Sequence, residues 1–228
     1  MFYFLLFLLE LILLFFLSRR LINALAGVIF RFTRSHKAVV NILAIIFLPG
    51  TIFHELAHLL FAGVMLVPVG EMNVLPEVEE NSVKLGSVQI GQTDPFRRLI
   101  IGLAPVLFGI LSILTALYFV RSADHFVWWQ VLLVLYLVFE IGNTMFSSRR
   151  DLEGAIGFLA IATVAVIILV VLYFLNPSLT QQIWFWLNDL NLQGASNFFK
   201  MASIYLTLPV LLDILVILLT MPLIGKKY

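Results

Sequence analysis

The chain has 228 residues, of which 62% are hydrophobic and 12% charged, with a formal net charge of +1 and no cysteine. A soluble domain carries about 25% charged residues, so this composition excludes an ordinary soluble globule and points to an integral membrane protein. The balanced charge, with no basic stripe, argues against nucleic acid as a partner. Without cysteine there is no disulfide and no thiolate, so any bound zinc would have to be held by histidine and carboxylate.

Residues 2–18 are apolar and carry Glu10. They lack the basic start and small-residue cleavage site of a secretory signal and read as a retained span. Residues 21–30, flanked by Arg19, Arg20, Arg31, Arg34 and Lys37, are too short to cross and read as an interfacial helix. Further apolar stretches of spanning length fall at about 38–66, 99–120, 127–146, 155–175 and 203–223. The most polar segment, 67–98, separates the second and third spans. Its pieces GEMNVL and SVKLGSVQIGQT alternate with period two, which predicts a short β-hairpin-like segment near 69–93. Residues 176–200 open with Asn176-Pro177 and carry Trp184, Phe185 and Trp186, the pattern of an amphipathic helix in the aromatic belt.

The expected fold class is therefore an all-α polytopic membrane protein with about six transmembrane helices and one hairpin-like segment, multi-pass and placed in the cell membrane. It divides into 1–37 (a span plus an interfacial helix), 38–155 (a core of three spans and the hairpin) and 156–228 (two spans with an amphipathic segment). Six crossings put both termini on one side of the bilayer. Lysine and arginine divide seven to seven between the two sides, so the positive-inside rule leaves the orientation open.

One motif stands out. His54-Glu55-Leu56-Ala57-His58 lies inside the second span, and ionisable groups in hydrocarbon mark function by default. Histidines at i and i+4 share a helix face and can hold one zinc, while the intervening glutamate can serve as general base. Eight residues separate His58 from Leu66 at the end of the span, which sets the motif roughly 12 Å below that surface. A third ligand must come from similar depth. The end of the fourth span reaches the same side, and residues 143–154 there hold Asn143, Asp151 and Glu153.

These residues resemble the site-2 protease family of intramembrane zinc metalloproteases. The likeness covers about residues 38–155: the His-Glu-x-x-His helix, a hairpin segment, Gly102-Leu103-Ala104-Pro105 in the place of an Ala-Gly-Pro-like turn, and an aspartate eight residues after an asparagine. The family's Leu-Asp-Gly becomes Leu152-Glu153-Gly154 here, so Asp151 keeps the asparagine spacing and Glu153 keeps the local context. The resemblance implies Zn2+ on His54, His58 and Asp151 (or Glu153), Glu55 as general base, and Asn143 as donor to a developing oxyanion. It also implies a membrane-protein substrate, single-span or membrane-adjacent, on a side generally cytoplasmic in the family. A peptide bond inside a helix is shielded, so such a substrate must be extended, and residues 71–92 can pair with it as an added strand. The expected activity is a zinc-dependent membrane metalloendopeptidase; the alternative is a catalytically silent scaffold or a metal-binding or transport protein of the same fold. Glu10, Glu140 and Asp213 are further acids within spans, with Glu140 read either as a neighbour of the site or as inter-helix glue. His36 and His125 read as interfacial bystanders, and Trp128, Trp129, Trp184 and Trp186 as membrane anchors.

Overall fold

The structure is a computed structural model that describes residues 2–74, 76–79, 82–84, 86–122, 127–146, 164, 167–168, 170–175 and 193–224. The chain opens with helix α1, Phe2–Thr33, a single helix of 32 residues. The expected span and separate interfacial helix are thus one element. No glycine or proline interrupts residues 18–25, and arginine is a good helix former. The Arg19 guanidinium sits 4.3 Å from the centroid of the Phe15 ring, which lets its stem lie along apolar surface. Phe7, Glu10, Leu14, Ser18, Leu21 and Ala24 recur at three- and four-residue steps and form one buried stripe.

Ser35 caps α2, His36–Ile46, through its side-chain oxygen and the Ala38 N–H at 3.3 Å. α3, Leu48–Val64, follows at a 67° bend. The stretch 38–66, expected as one spanning helix, is thus two helices. Pro49 explains the break: it lacks an N–H, and its ring would clash with the carbonyl four residues back if α2 continued. In the first turn of α3 the same residue does no harm.

Four short strands follow: β1 Val69–Asn73, β2 Glu77–Glu79, β3 Ser82–Lys84 and β4 Ser87–Ile90. β1 pairs antiparallel with β4, and β2 with β3, so the expected hairpin-like segment is present as two successive two-stranded ladders. The register shifts between Val69 and Met72, which marks an irregularity in the β1–β4 ladder.

α4, Pro95–Ser122, runs straight through Gly102-Leu103-Ala104-Pro105, where the resemblance had suggested a turn. α5 spans Trp128–Thr144. α6, Gln193–Ile224, begins ten residues before the expected 203. Trp184 and Trp186, like His125, lie outside the described residues.

Leu14, Ile110, Ile113, Val138, Ile141 and Leu206 join α1, α4, α5 and α6 in one apolar core. A second cluster, Leu21, Leu43, Phe47 and Ile217, ties α2 to α1 and α6. α1 and α6 lie side by side and parallel: Ser203 meets Tyr3, Thr207 meets Glu10, and the Arg31 guanidinium donates to the Leu223 carbonyl at 2.7 Å. Six successive crossings would have set the first and last helices antiparallel. Among the described residues three helices are long and apolar enough to cross a membrane, or four if the bent α2–α3 pair is one span. The protein is a polytopic helical membrane protein. Its outer surface fits that medium, with Leu5, Leu111, Phe119, Leu132 and Leu219 all exposed.

Candidate functional site: a buried polar face on α3

α3 turns Thr51, His54, Glu55 and His58 inward, and all four are buried. The partner of His58 is set by a proline on another helix. Pro105 has no N–H, so within α4 the carbonyl of Ile101, four residues earlier, loses its helical donor. Ile101 is 2% exposed, too enclosed for water to take that place. His58 Nδ1 approaches this oxygen at 2.9 Å. A carbonyl can only accept, so Nδ1 carries the proton and donates. In a neutral His58 the other nitrogen, Nε2, is then an acceptor, and it faces His54 Nε2 at 3.2 Å. His54 therefore donates to His58, and one chain of N–H bonds runs from His54 through His58 to Ile101.

Glu55 points elsewhere. It lies against the start of β4, where a side chain at Gly86 would place its Cβ 2.6 Å from Thr51 Cγ2 and 3.1 Å from Glu55 Cγ and Oε1. Only glycine permits so close an approach of strand to helix. At its other end the hairpin packs Val69 against Ala62, Val67 and Ile101, and the Gly91 N–H bonds the Pro68 carbonyl at 2.9 Å. Thr51 stands eleven residues before Ala62, so the β1–β4 sheet runs alongside α3 for roughly 16 Å. It passes the turns that carry His54, Glu55 and His58.

The other buried acids among the described residues are engaged at other junctions. Glu140 of α5 accepts the Gly50 N–H of α3 at 3.3 Å through Oε2. Asn143 donates to Asp213 Oδ1 of α6 at 2.7 Å and to the Phe139 carbonyl at 2.9 Å, so both its amide hydrogens are engaged. Glu10 of α1 meets Thr207 Oγ1 of α6 at 2.9 Å.

This arrangement corrects the metal reading. Among the described residues no group of three or more histidine, aspartate or glutamate side chains is placed to hold a metal ion. His54 and His58 face each other, but Glu55 turns toward Gly86, Glu140 toward Gly50, and Asp213 toward Asn143. Asp151 and Glu153, expected to complete the set, lie outside the described residues. A zinc site needs at least three protein ligands. The expected Zn2+, the metal-activated water, the zinc-dependent endopeptidase activity and the likeness to the site-2 protease family are accordingly not supported.

Three contacts were missed from sequence although their signals were present. Pro105 announces an unfilled carbonyl at Ile101, and Gly50 and Gly142 mark close helix packing. A Cβ at Gly50 would stand 2.7 Å from Thr144 Oγ1 and Cγ2, and one at Gly142 would stand 3.1 Å from Pro209 Cβ. The pairing of Asn143 with Asp213, 70 positions apart, left no mark in the sequence. Compared with protein-family models, with curated proteins and with solved structures, the chain matches none.

Proposed function

We propose that this protein holds an extended segment of another membrane protein, paired as an added strand on the β1–β4 sheet beside the buried polar face of α3. The observation that carries the reading is the sheet's position. Among the described residues it has two strands, so each strand keeps an edge with no third strand, and it lies alongside the helix that bears His54, Glu55 and His58. Sheet edges facing hydrocarbon are not tolerated; backbone of this kind is found only where protein or a water-filled cavity covers it. An extended partner segment has the same need, because it has given up its own helical bonds. Strand addition satisfies both backbones at once.

In this reading α1, α4, α6, α5 and the bent α2–α3 pair all cross the cell membrane. α5, with 17 residues, reaches ~25 Å and is near the lower limit for a span. These five crossings agree with the parallel course of α1 and α6; most of residues 155–175 lies outside the described residues.

The test is photo-crosslinking in membranes from benzoylphenylalanine placed at the exposed Glu71 and Gln89, with Phe32 at the end of α1 as control. Crosslinks should map to a transmembrane or juxtamembrane segment of a partner protein, and Gly86→Val should abolish them by forcing β4 away from Thr51 and Glu55. Adducts to lipid alone, or protein adducts indifferent to Gly86→Val, would refute the reading.

A further inference from the structure

We propose that the Asn143–Asp213 pair, at the junction of α5 and α6, is a proton-binding site in which Asp213 carries a proton in the folded protein. The argument is a count of donors and acceptors. Asn143 is 1% exposed and Asp213 0%, so water is excluded from both. The two amide hydrogens of Asn143 go to Asp213 Oδ1 and the Phe139 carbonyl. Asn143 Oδ1 and Asp213 Oδ2 are left, both buried and without a hydrogen-bond partner among the described residues. Both are acceptors if the carboxyl is ionised, so the pair has a surplus of acceptors and no donor. One proton passed from bulk hydronium, which is left as water, to the Asp213 carboxylate forms one O–H bond as another breaks, cancels the carboxylate charge and turns an acceptor into a donor. An uncompensated charge at this depth is far costlier to bury than a neutral acid.

Among the described residues the neighbouring groups supply no countercharge. On α1, Glu10 meets α6 at Thr207, six residues before Asp213. On α5, Glu140 is turned to Gly50, and Tyr136 bonds the Ile46 carbonyl. α4 contributes Arg97, Arg98 and Arg121 toward its ends, and Arg31 of α1 caps Leu223, ten residues beyond Asp213. No lysine or arginine is bonded to Asp213 among the described residues. The same half-satisfied pattern recurs at Glu140 Oε1 and Glu10 Oε2, each with its sister oxygen bonded.

The experiment is infrared spectroscopy of the purified full chain in lipid nanodiscs at neutral pH, in sodium chloride and in choline chloride. Asp213→Asn, which preserves shape and neutral charge, should remove one protonated-carboxyl C=O band and leave those of Glu10 and Glu140. Asn143→Ala should shift the same band to higher frequency, because the carboxyl loses its partner, without removing it. A spectrum in which Asp213→Asn leaves every protonated-carboxyl band in place would overturn the proposal. So would a band that appears only without sodium, which would make the ligand a metal cation. Monodisperse elution of both variants checks that they fold.

Discussion

The bond from His58 to Ile101 can be tested against the proline that makes it necessary. In the wild type, His58→Ala leaves the Ile101 carbonyl buried at 2% exposure with no donor, since Pro105 cannot supply one. An orphaned buried acceptor costs about 1–3 kcal/mol, and at 1.4 kcal/mol per tenfold that is roughly a 5- to 150-fold loss in the folding equilibrium. In a Pro105→Ala background the residue at 105 gains an N–H, and Ile101 recovers its helical donor. The cavity left by the imidazole is common to both backgrounds and cancels in a double-mutant cycle. His58→Ala should therefore be less costly by about 1–2 kcal/mol when residue 105 is alanine, a coupling inside the range seen for contacting residues. The assay is reversible unfolding in mixed lipid–detergent micelles for the four proteins of the cycle. Equal costs in the two backgrounds would show that His58 does not serve the freed carbonyl, and the donor assignment of both imidazoles would fall with it.

Two further outcomes follow from local geometry. Gly50→Ala should destabilise by about 1–3 kcal/mol, because its Cβ would overlap Thr144 and approach the Glu140 carbonyl at 2.8 Å. Gly63→Ala, where nothing lies within 4 Å, should be neutral or stabilising through helix propensity, and unfolding of the two variants side by side decides the point. At the start of α4, the Arg97 N–H and then that of Phe96 bond the Asp94 carboxyl, each at 3.1 Å, and hold it below the ordinary aspartate value. A lowered folded-state pKa means that the cap operates above the pKa of the unfolded chain and is lost as pH falls through the folded one. The protection factors of the Phe96–Arg98 amides, with exchange taken relative to the unfolded rate at each pH, should fall in acid, and in Asp94→Ala they should be low at every pH.

Much of the architecture was legible in the sequence because hydropathy and turn chemistry are local. The third and fourth apolar stretches became α4 and α5 nearly as drawn, and period-two alternation located the strands. The errors came where a local rule was read too far. Arg19-Arg20 looked like the end of a span, but long basic side chains can lie along apolar surface, and α1 continued to Thr33. The run 38–66 looked like one helix although Pro49 stood inside it. Gly102-Leu103-Ala104-Pro105 was read as a turn through a family likeness, and α4 absorbed the proline by taking a histidine from α3 as a substitute donor.

The candidate site divides the same way. Spacing alone put His54 and His58 on one helix face, and the structure has them there in contact. Spacing could not say where Glu55 would turn, because that depends on Gly86 bringing β4 onto the helix. Nor could it pair Asn143 with Asp213, or Glu140 with Gly50.

By itself the sequence determined that this protein lives in a membrane, where α4 and α5 run, and that α3 carries a polar face; each follows from composition and short-range period. Among the described residues the tertiary structure alone decided what the buried polar groups meet: in place of a three-ligand metal centre stands the contact of His54 with His58, while Glu10, Glu140 and Asp213 are partnered at other junctions. The reason is physical: in a water-free interior every donor and acceptor must be matched across helices, and that matching is set by helix position and tilt, which no local pattern encodes.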